Sequence, residues 1–183
     1  MPRQRHDSSK NMVSFLVGET TYAVRIDLVR EIVRPLEIAE LPLAPKSVRG
    51  VASFREHVVP VVDLRDRFGL PPIQDSRRSK WIIVDVARVP IVPLASAAPV
   101  ASATRTEAEG RSLAALAVDS VTEVFGIANA AVRPSPSLGD GDAVRGIEGV
   151  TEHGGKLVFV LDLRSLQAIV EASAAAGHRL QST

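Results

Sequence analysis

The chain has 183 residues, sets 22 Lys and Arg against 21 Asp and Glu, and is 45% hydrophobic but only 4% aromatic. That length supports one domain of ordinary size, or two small lobes sharing a core built from Val, Ile, Leu and Ala. A formal charge of +1 gives no footing for a nucleic-acid or membrane-surface partner, and the absence of cysteine excludes disulfides, thiolate metal sites and cysteine nucleophiles.

Residues 1–11 are polar, with no apolar h-region, and read as a disordered tail without a secretory signal. Met12 to Val17 is apolar and ends at Gly18. Thr21 to Ile26 alternates in period two, so the pair reads as a β-hairpin. Leu28, Val29, Ile32 and Val33 have helix-like spacing, predicting a turn of helix that leads into a strand through Ile38, with Pro42 and Pro45 as punctuation. Val48 to Phe54 and His57 to Val62 form a second hairpin. Asp63 then caps a short helix that Gly69 and Pro71-Pro72 bring to an end.

Trp81 to Val86 reads as a buried strand and Leu113 to Val118 as its partner. Between them, 87–112 is rich in Ala, Pro, Ser and Thr and has neither period nor cap. It is expected to be a mobile insertion in a hairpin. The longest apolar stretch, Trp81 to Val100, is interrupted by Asp85, Arg88 and prolines, so it is no membrane span, and a cytoplasmic protein is expected. Val144 to Val150 and Lys156 to Leu161 form a hairpin around Glu152-His153-Gly154-Gly155. Leu163 to about Ala176 is helical, with Leu163, Leu166, Ile169 and Val170 on one face, and 172–183 forms the helix end and tail.

The chain also repeats itself. Val48-Arg49-Gly50-Val51 and Asp63-Leu64-Arg65 return as Val144-Arg145-Gly146-Ile147 and Asp162-Leu163-Arg164, and Asp27 to Ile32 is answered by Asp119 to Val124. The offset drifts from 92 (27 to 119) through 96 (50 to 146) to 99 (63 to 162), as loop insertions would produce. About ten short strands with Gly and Pro turns, halved by the repeat, predict an all-β fold of two five-stranded barrels side by side, with short helices. The first barrel is expected at about 12–75 and the second at about 80–171, with a seam between them where something can bind.

Catalytic and metal motifs are missing. His57 and His153 occupy equivalent turn positions in this alignment, but neither has a second His or Cys nearby; exposed turn residues explain them better than a metal site. Helix capping accounts for Asp63 and Asp162 without acid–base chemistry. There is no phosphate loop, G-x-S-x-G, H-E-x-x-H or G-x-G-x-x-G in strand–helix context. In an aliphatic β protein this favours a binding module without cofactors over an enzyme. One pair departs from the repeat: Glu31 and Arg55 align with Glu123 and Thr151, so their charges are not paired again in the second half.

Arg49-Gly50-Val51-Ala52-Ser53-Phe54-Arg55 followed by Val59-Pro60-Val61-Val62-Asp63-Leu64-Arg65 resembles the signature of the CheW family of chemotaxis coupling proteins, and the flanking segments agree in order over about 12–170. The resemblance implies a CheW-like domain of two SH3-like β-barrels without catalytic activity. It implies that the domain bridges the cytoplasmic tip of a methyl-accepting chemoreceptor to the regulatory domain of a CheA-type histidine kinase. By position it places Glu31 and Arg55, with Val29, Phe54 and Glu56 around them, at the receptor-binding groove; it names no kinase-binding residue. Two departures are visible: the family's Asn-Leu-Arg-Gly is here Ser53-Phe54-Arg55-Glu56, and a short hairpin loop is expanded to 87–112. They leave open a paralogue that binds receptor or kinase alone.

Overall fold

The computed structural model describes residues 11–72, 74–88, 113–127, 132–134 and 146–180. The expected N-terminal tail through Lys10 and the insertion from 89 to 112 lie outside them. β1 (Asn11–Val17) and β2 (Thr20–Arg25) form the first hairpin, and a 3₁₀ turn at Ile26–Leu28 leads into β3 (Val29–Val33). β4 (Val48–Phe54), β5 (His57–Asp63) and α1 (Leu64–Arg67) follow, then β6 (Lys80–Asp85) and, after a second 3₁₀ turn, β7 (Leu113–Val118). β8 (Ser120–Gly126), β9 (Arg133–Pro134), β10 (Ile147–His153), β11 (Lys156–Leu161) and α2 (Arg164–Leu180) complete the chain.

The helix expected over Leu28–Val33 is therefore only the 3₁₀ turn ending at Leu28; Val29–Val33 is strand, ending short of the expected Ile38, and Glu31 stands on it. β3 holds two β-branched valines and an isoleucine in five residues, a composition that packs better on a pleated surface than in a helix. α2 runs past the expected end near Ala176. Gly177 is tolerated at a cost of about 1 kcal/mol.

The two sheets are not the two halves of the chain. One runs β8-β1-β2-β11-β10-β9 and the other β3-β6-β7-β5-β4. The hairpin β1–β2 from the first half lies in the sheet of β8, β10 and β11, and the hairpin β6–β7 from the second half lies in the sheet of β3, β4 and β5. The expected division at 12–75 and 80–171 cuts across both sheets. Each hairpin joins its host by equivalent contacts: β2 runs parallel to β11 with Ala23 opposite Val160, and β7 runs parallel to β5 with Ala115 opposite Val61. The halves have exchanged hairpins within one polypeptide.

These pairings also set the register of the repeat. Ala23 to Ala115 is an offset of 92 (115 − 23), and Val61 to Val160 is one of 99 (160 − 61). The offset of 99 holds without a gap from Val48 to Arg65. The counterpart of Gly50 is therefore Gly149, not Gly146. Both glycines sit at a register shift, and both pass beneath a crossing backbone. A Cβ on Gly50 would stand 2.3 Å from the Ala39 carbonyl oxygen, and one on Gly149 would stand 2.5 Å from that of Arg133. The echo of Val-Arg-Gly at 144–146 is three residues out of structural register.

The core follows from the exchange. Alternate residues of β1 face opposite ways: Val13, Phe15 and Val17 look toward the other sheet, while Met12 looks into its own. The largest cluster lies between the sheets, where Phe15, Tyr22, Val62, Leu64, Ile82, Leu116 and Leu163 meet under Leu166 and Val170 of α2. Trp81, Ile83, Val59, Val61 and Phe54 fill the five-stranded sheet, and Met12, Phe125, Val158 and Val160 the six-stranded one. The seam is thus packed. Among the described residues the outer strands of each sheet are not hydrogen-bonded to one another, so each sheet curls without closing.

Candidate functional site

Two of the five residues expected at a receptor site meet across the open edge of the five-stranded sheet. Glu31 lies on β3, one outer strand, and Arg55 at the tip of the hairpin that carries β4, the other. Arg55 Nη2 donates to Glu31 Oε2 at 2.5 Å, and the guanidinium also lies over the Phe54 ring, 5.5 Å from its centre. Both side chains remain accessible, at 71% and 39%. Glu56 is exposed beside them. Phe54 points into the sheet's interior and presents almost nothing outward, and Val29 packs against the core between the sheets. Phe54 thus supports the pair from below, and Val29 does not join it.

The turn beneath the pair is unusual. Arg55 has φ +55 and Glu56 is not left-handed, whereas the counterparts Gly154 and Gly155 have φ +57 and +73. Two positive φ values are the sign pattern of a type I′ hairpin turn; one at the first central residue is that of type II′, where glycine is the usual occupant. The two turns thus differ at the second central residue, Glu56 against Gly155, while the positive φ that Gly154 also adopts is borne here by Arg55, the residue that carries the ion pair. A non-glycine residue there costs about 1–2 kcal/mol.

With the register corrected, the pairing does recur. Glu123 remains the counterpart of Glu31, but position 154 answers Arg55, and Phe54 is answered by His153. His153 Nε2 lies 3.3 Å from Glu123 Oε1 across the equivalent edge, and its ring stacks on Phe125 with centres 4.2 Å apart. His153 is therefore no idle turn residue, and His57 is not its equivalent: that position is Lys156. Exposed apolar side chains recur in the same way. Ile32 and Val124 are counterparts, as are Val58 and Leu157, and all four are exposed. Extending the ungapped offset of 99 back from Asp63 and Asp162 finds the counterparts of Phe54, Arg55, His57 and Val58, which matching the Val-Arg-Gly string hides; Glu31 and Ile32 keep the offset of 92.

The carboxylates singled out as caps do cap. Asp63 Oδ1 accepts from the amides of Arg65 and Asp66, and its other oxygen accepts from Arg49 Nε at 2.6 Å. Burial pulls the Arg49 guanidinium's pKa down, but Asp63 and Asp75 outweigh it and hold it above its ordinary value. Asp162 accepts from the Arg164 amide at 2.9 Å and also holds its guanidinium, whose pKa it raises. Asp119 accepts from the Gly18 amide and from Arg65, tying the start of β8 to α1. Among the described residues no three His, Asp or Glu side chains cluster as metal ligands would, and no helix is long and apolar enough to cross a membrane.

Hairpin-exchanged sheets, packed between and carrying accessible ion pairs and apolar side chains on their edges, make a duplicated β scaffold. Residues 11–170 match the CheW-like domain model. The chain is 24% identical over 170 residues to the chemotaxis protein CheW of Treponema pallidum, covering 91% of this chain and 86% of that one. It is 23% identical over 169 residues to that of Rhizobium meliloti, covering 92% and 94%. A crystal structure of the scaffolding protein TtCheW from Thermoanaerobacter tengcongensis is similar at a TM-score of 0.67 and 26% identity, covering 91% and 92%. The chain belongs to the CheW-like family of chemotaxis coupling proteins.

Proposed function

We propose that this protein couples the cytoplasmic tip of a methyl-accepting chemoreceptor to the regulatory domain of a CheA-type histidine kinase, as a scaffold with no catalytic step, in the cytoplasm. The observation that carries the reading is the family match, which spans every strand of both sheets. Glu31 and Arg55 are the receptor contacts in this reading. They are accessible, held in one place by each other, and flanked by exposed Ile32 and Val58, so a docking helix would meet charge and apolar surface together. Glu56 lies at the rim of that surface, with Phe54 beneath it.

The test is reconstitution. Kinase autophosphorylation is measured with candidate receptor and kinase, with and without this protein. Stimulation that needs all three components supports coupling. Capture of receptor alone or kinase alone, without stimulation, selects the second reading, a CheW-like paralogue that tunes array assembly or signalling. The altered turn at Arg55-Glu56 favours that reading because it changes the hairpin tip itself. Wild-type capture of neither partner overturns both.

A further inference from the structure

Among the described residues, the half-buried arginines are paired with carboxylates, with one exception. Arg25, Arg49, Arg65 and Arg164 each hold a carboxylate. Arg67, the last residue of α1, does not. Among the described residues its one hydrogen bond runs from Nη2 to the hydroxyl of Ser165 at 2.9 Å. That hydroxyl donates its own proton to the Asp162 carbonyl at 2.7 Å, so it offers Arg67 a neutral acceptor and nothing more.

The position of the guanidinium is equally specific. α1 follows β5 of the five-stranded sheet and α2 follows β11 of the six-stranded one, so the Arg67–Ser165 contact spans the junction of the exchanged halves. Gly146 closes one side. A Cβ on it would stand 2.2 Å from Ser165 Oγ and 3.0 Å from Arg67 Nη2, so glycine is what lets the backbone lie against the pair. The Gly146 carbonyl accepts from the Asp162 amide at 2.7 Å, which pins that wall in place.

A guanidinium has five N–H donors in a rigid fork suited to two oxygens of one anion. Burying it without a counter-charge is unfavourable. Burial pushes the pKa of Arg67 down, and among the described residues no carboxylate raises it again. The placement, the held wall and the open donors point the same way. We propose that Arg67 is an oxyanion-binding residue at the junction of the two halves, taking a carboxylate or phosphate group on the N–H donors that Ser165 leaves open. The anion is either a free small ion or a carboxylate carried by a docking protein; the chemistry at Arg67 is the same.

The experiment compares the full-length wild type with Arg67→Met and Arg67→Lys. Thermal unfolding is followed in sodium phosphate, in sodium acetate, and in chloride matched for ionic strength. With a free oxyanion as occupant, the wild-type Tm rises by roughly 3–5 °C at a tenfold excess over the dissociation constant, and neither variant responds. In the second arm, receptor and kinase fragments are captured by each protein. With a protein-borne carboxylate as occupant, phosphate and acetate have little effect, and Arg67→Met weakens capture about tenfold while its Tm in chloride equals or exceeds that of the wild type. Equal behaviour of wild type and Arg67→Met in both arms overturns the proposal. So does a wild type that responds in neither, and so does Arg67→Met that is destabilised without any anion response, which makes Arg67 a strut. Failure of the wild type to capture receptor counts against coupling, and the anion arm then decides on Arg67 alone.

Discussion

Replacing Arg55 by glycine separates what this residue contributes to folding from what it is proposed to do. Its left-handed backbone costs about 1–2 kcal/mol that glycine would not incur. Against that gain, glycine adds unfolded-chain entropy worth about 0.4–1 kcal/mol. The lost ion pair is worth about 0–1 kcal/mol, because its partners are 71% and 39% exposed. The contact with the Phe54 ring adds about 0.5 kcal/mol at such a site. These contributions nearly cancel, so Arg55→Gly is expected to match the wild type within about 0.5 kcal/mol. Arg55→Ala loses the same contacts and keeps the strain, which places it about 1 kcal/mol below. Urea denaturation reads the difference as a shift of roughly 0.5 M in midpoint at unchanged slope. Arg55→Gly then gives a folded protein lacking the charge bridge, and capture of the receptor fragment should fall with stability unchanged. An alanine variant as stable as the glycine variant refutes the account of the turn; undiminished capture by Arg55→Gly refutes the site.

Gly149→Ala is expected to cost more than about 2 kcal/mol because its Cβ would meet backbone, whereas Gly154→Ala, with open space around it, should cost only about 1 kcal/mol of left-handed strain; thermal unfolding ranks the two. Arg55→Glu and Glu31→Arg should each abolish receptor capture with circular dichroism unchanged, and the double charge swap should recover part of it, as a double-mutant cycle by titration will measure. A fragment comprising 11–75 should remain unfolded on its own, because β1 and β2 have their partners in the other half; a dispersed amide spectrum from it would contradict the exchange.

The elements were legible in the sequence because each is written locally. Alternation in Thr21–Ile26, the cap at Asp63 with Gly69 beyond it, and the aliphatic run Trp81–Val86 each need only nearest neighbours to be read. The exchange was not legible, because β1, β6 and β7 are buried on both faces and their pattern does not name a host sheet. Nothing in Val13-Ser14-Phe15 says which half supplies its neighbour; that depends on which strand edge is left unpaired. The register of the repeat was misread for a related reason. Val144-Arg145-Gly146 matches Val48-Arg49-Gly50 letter for letter, but what makes Gly50 necessary is the carbonyl of Ala39 crossing above it, and in the second half that crossing falls on Gly149. Identity of letters competed with identity of environment, and environment set the fold.

The corrected register changes what can be argued about the site. In the sequence alignment Arg55 stood out because nothing answered it, and asymmetry suggested function. In the structure both edges carry an acidic side chain facing a nitrogen-bearing one, with an exposed apolar residue beside each, so a charged bridge is a property of the duplicated edge and not of one half. What remains particular to the first edge is the chemistry of the bridge and the turn under it. Arg55 presents a forked donor and is a non-glycine residue at φ +55, whereas His153 stands over Phe125 and leaves the equivalent φ of +57 to Gly154, which adopts it without steric cost. A non-glycine residue kept at a positive φ, where the equivalent position holds glycine, is the physical reason we propose the receptor contact at Arg55 and not at its counterpart.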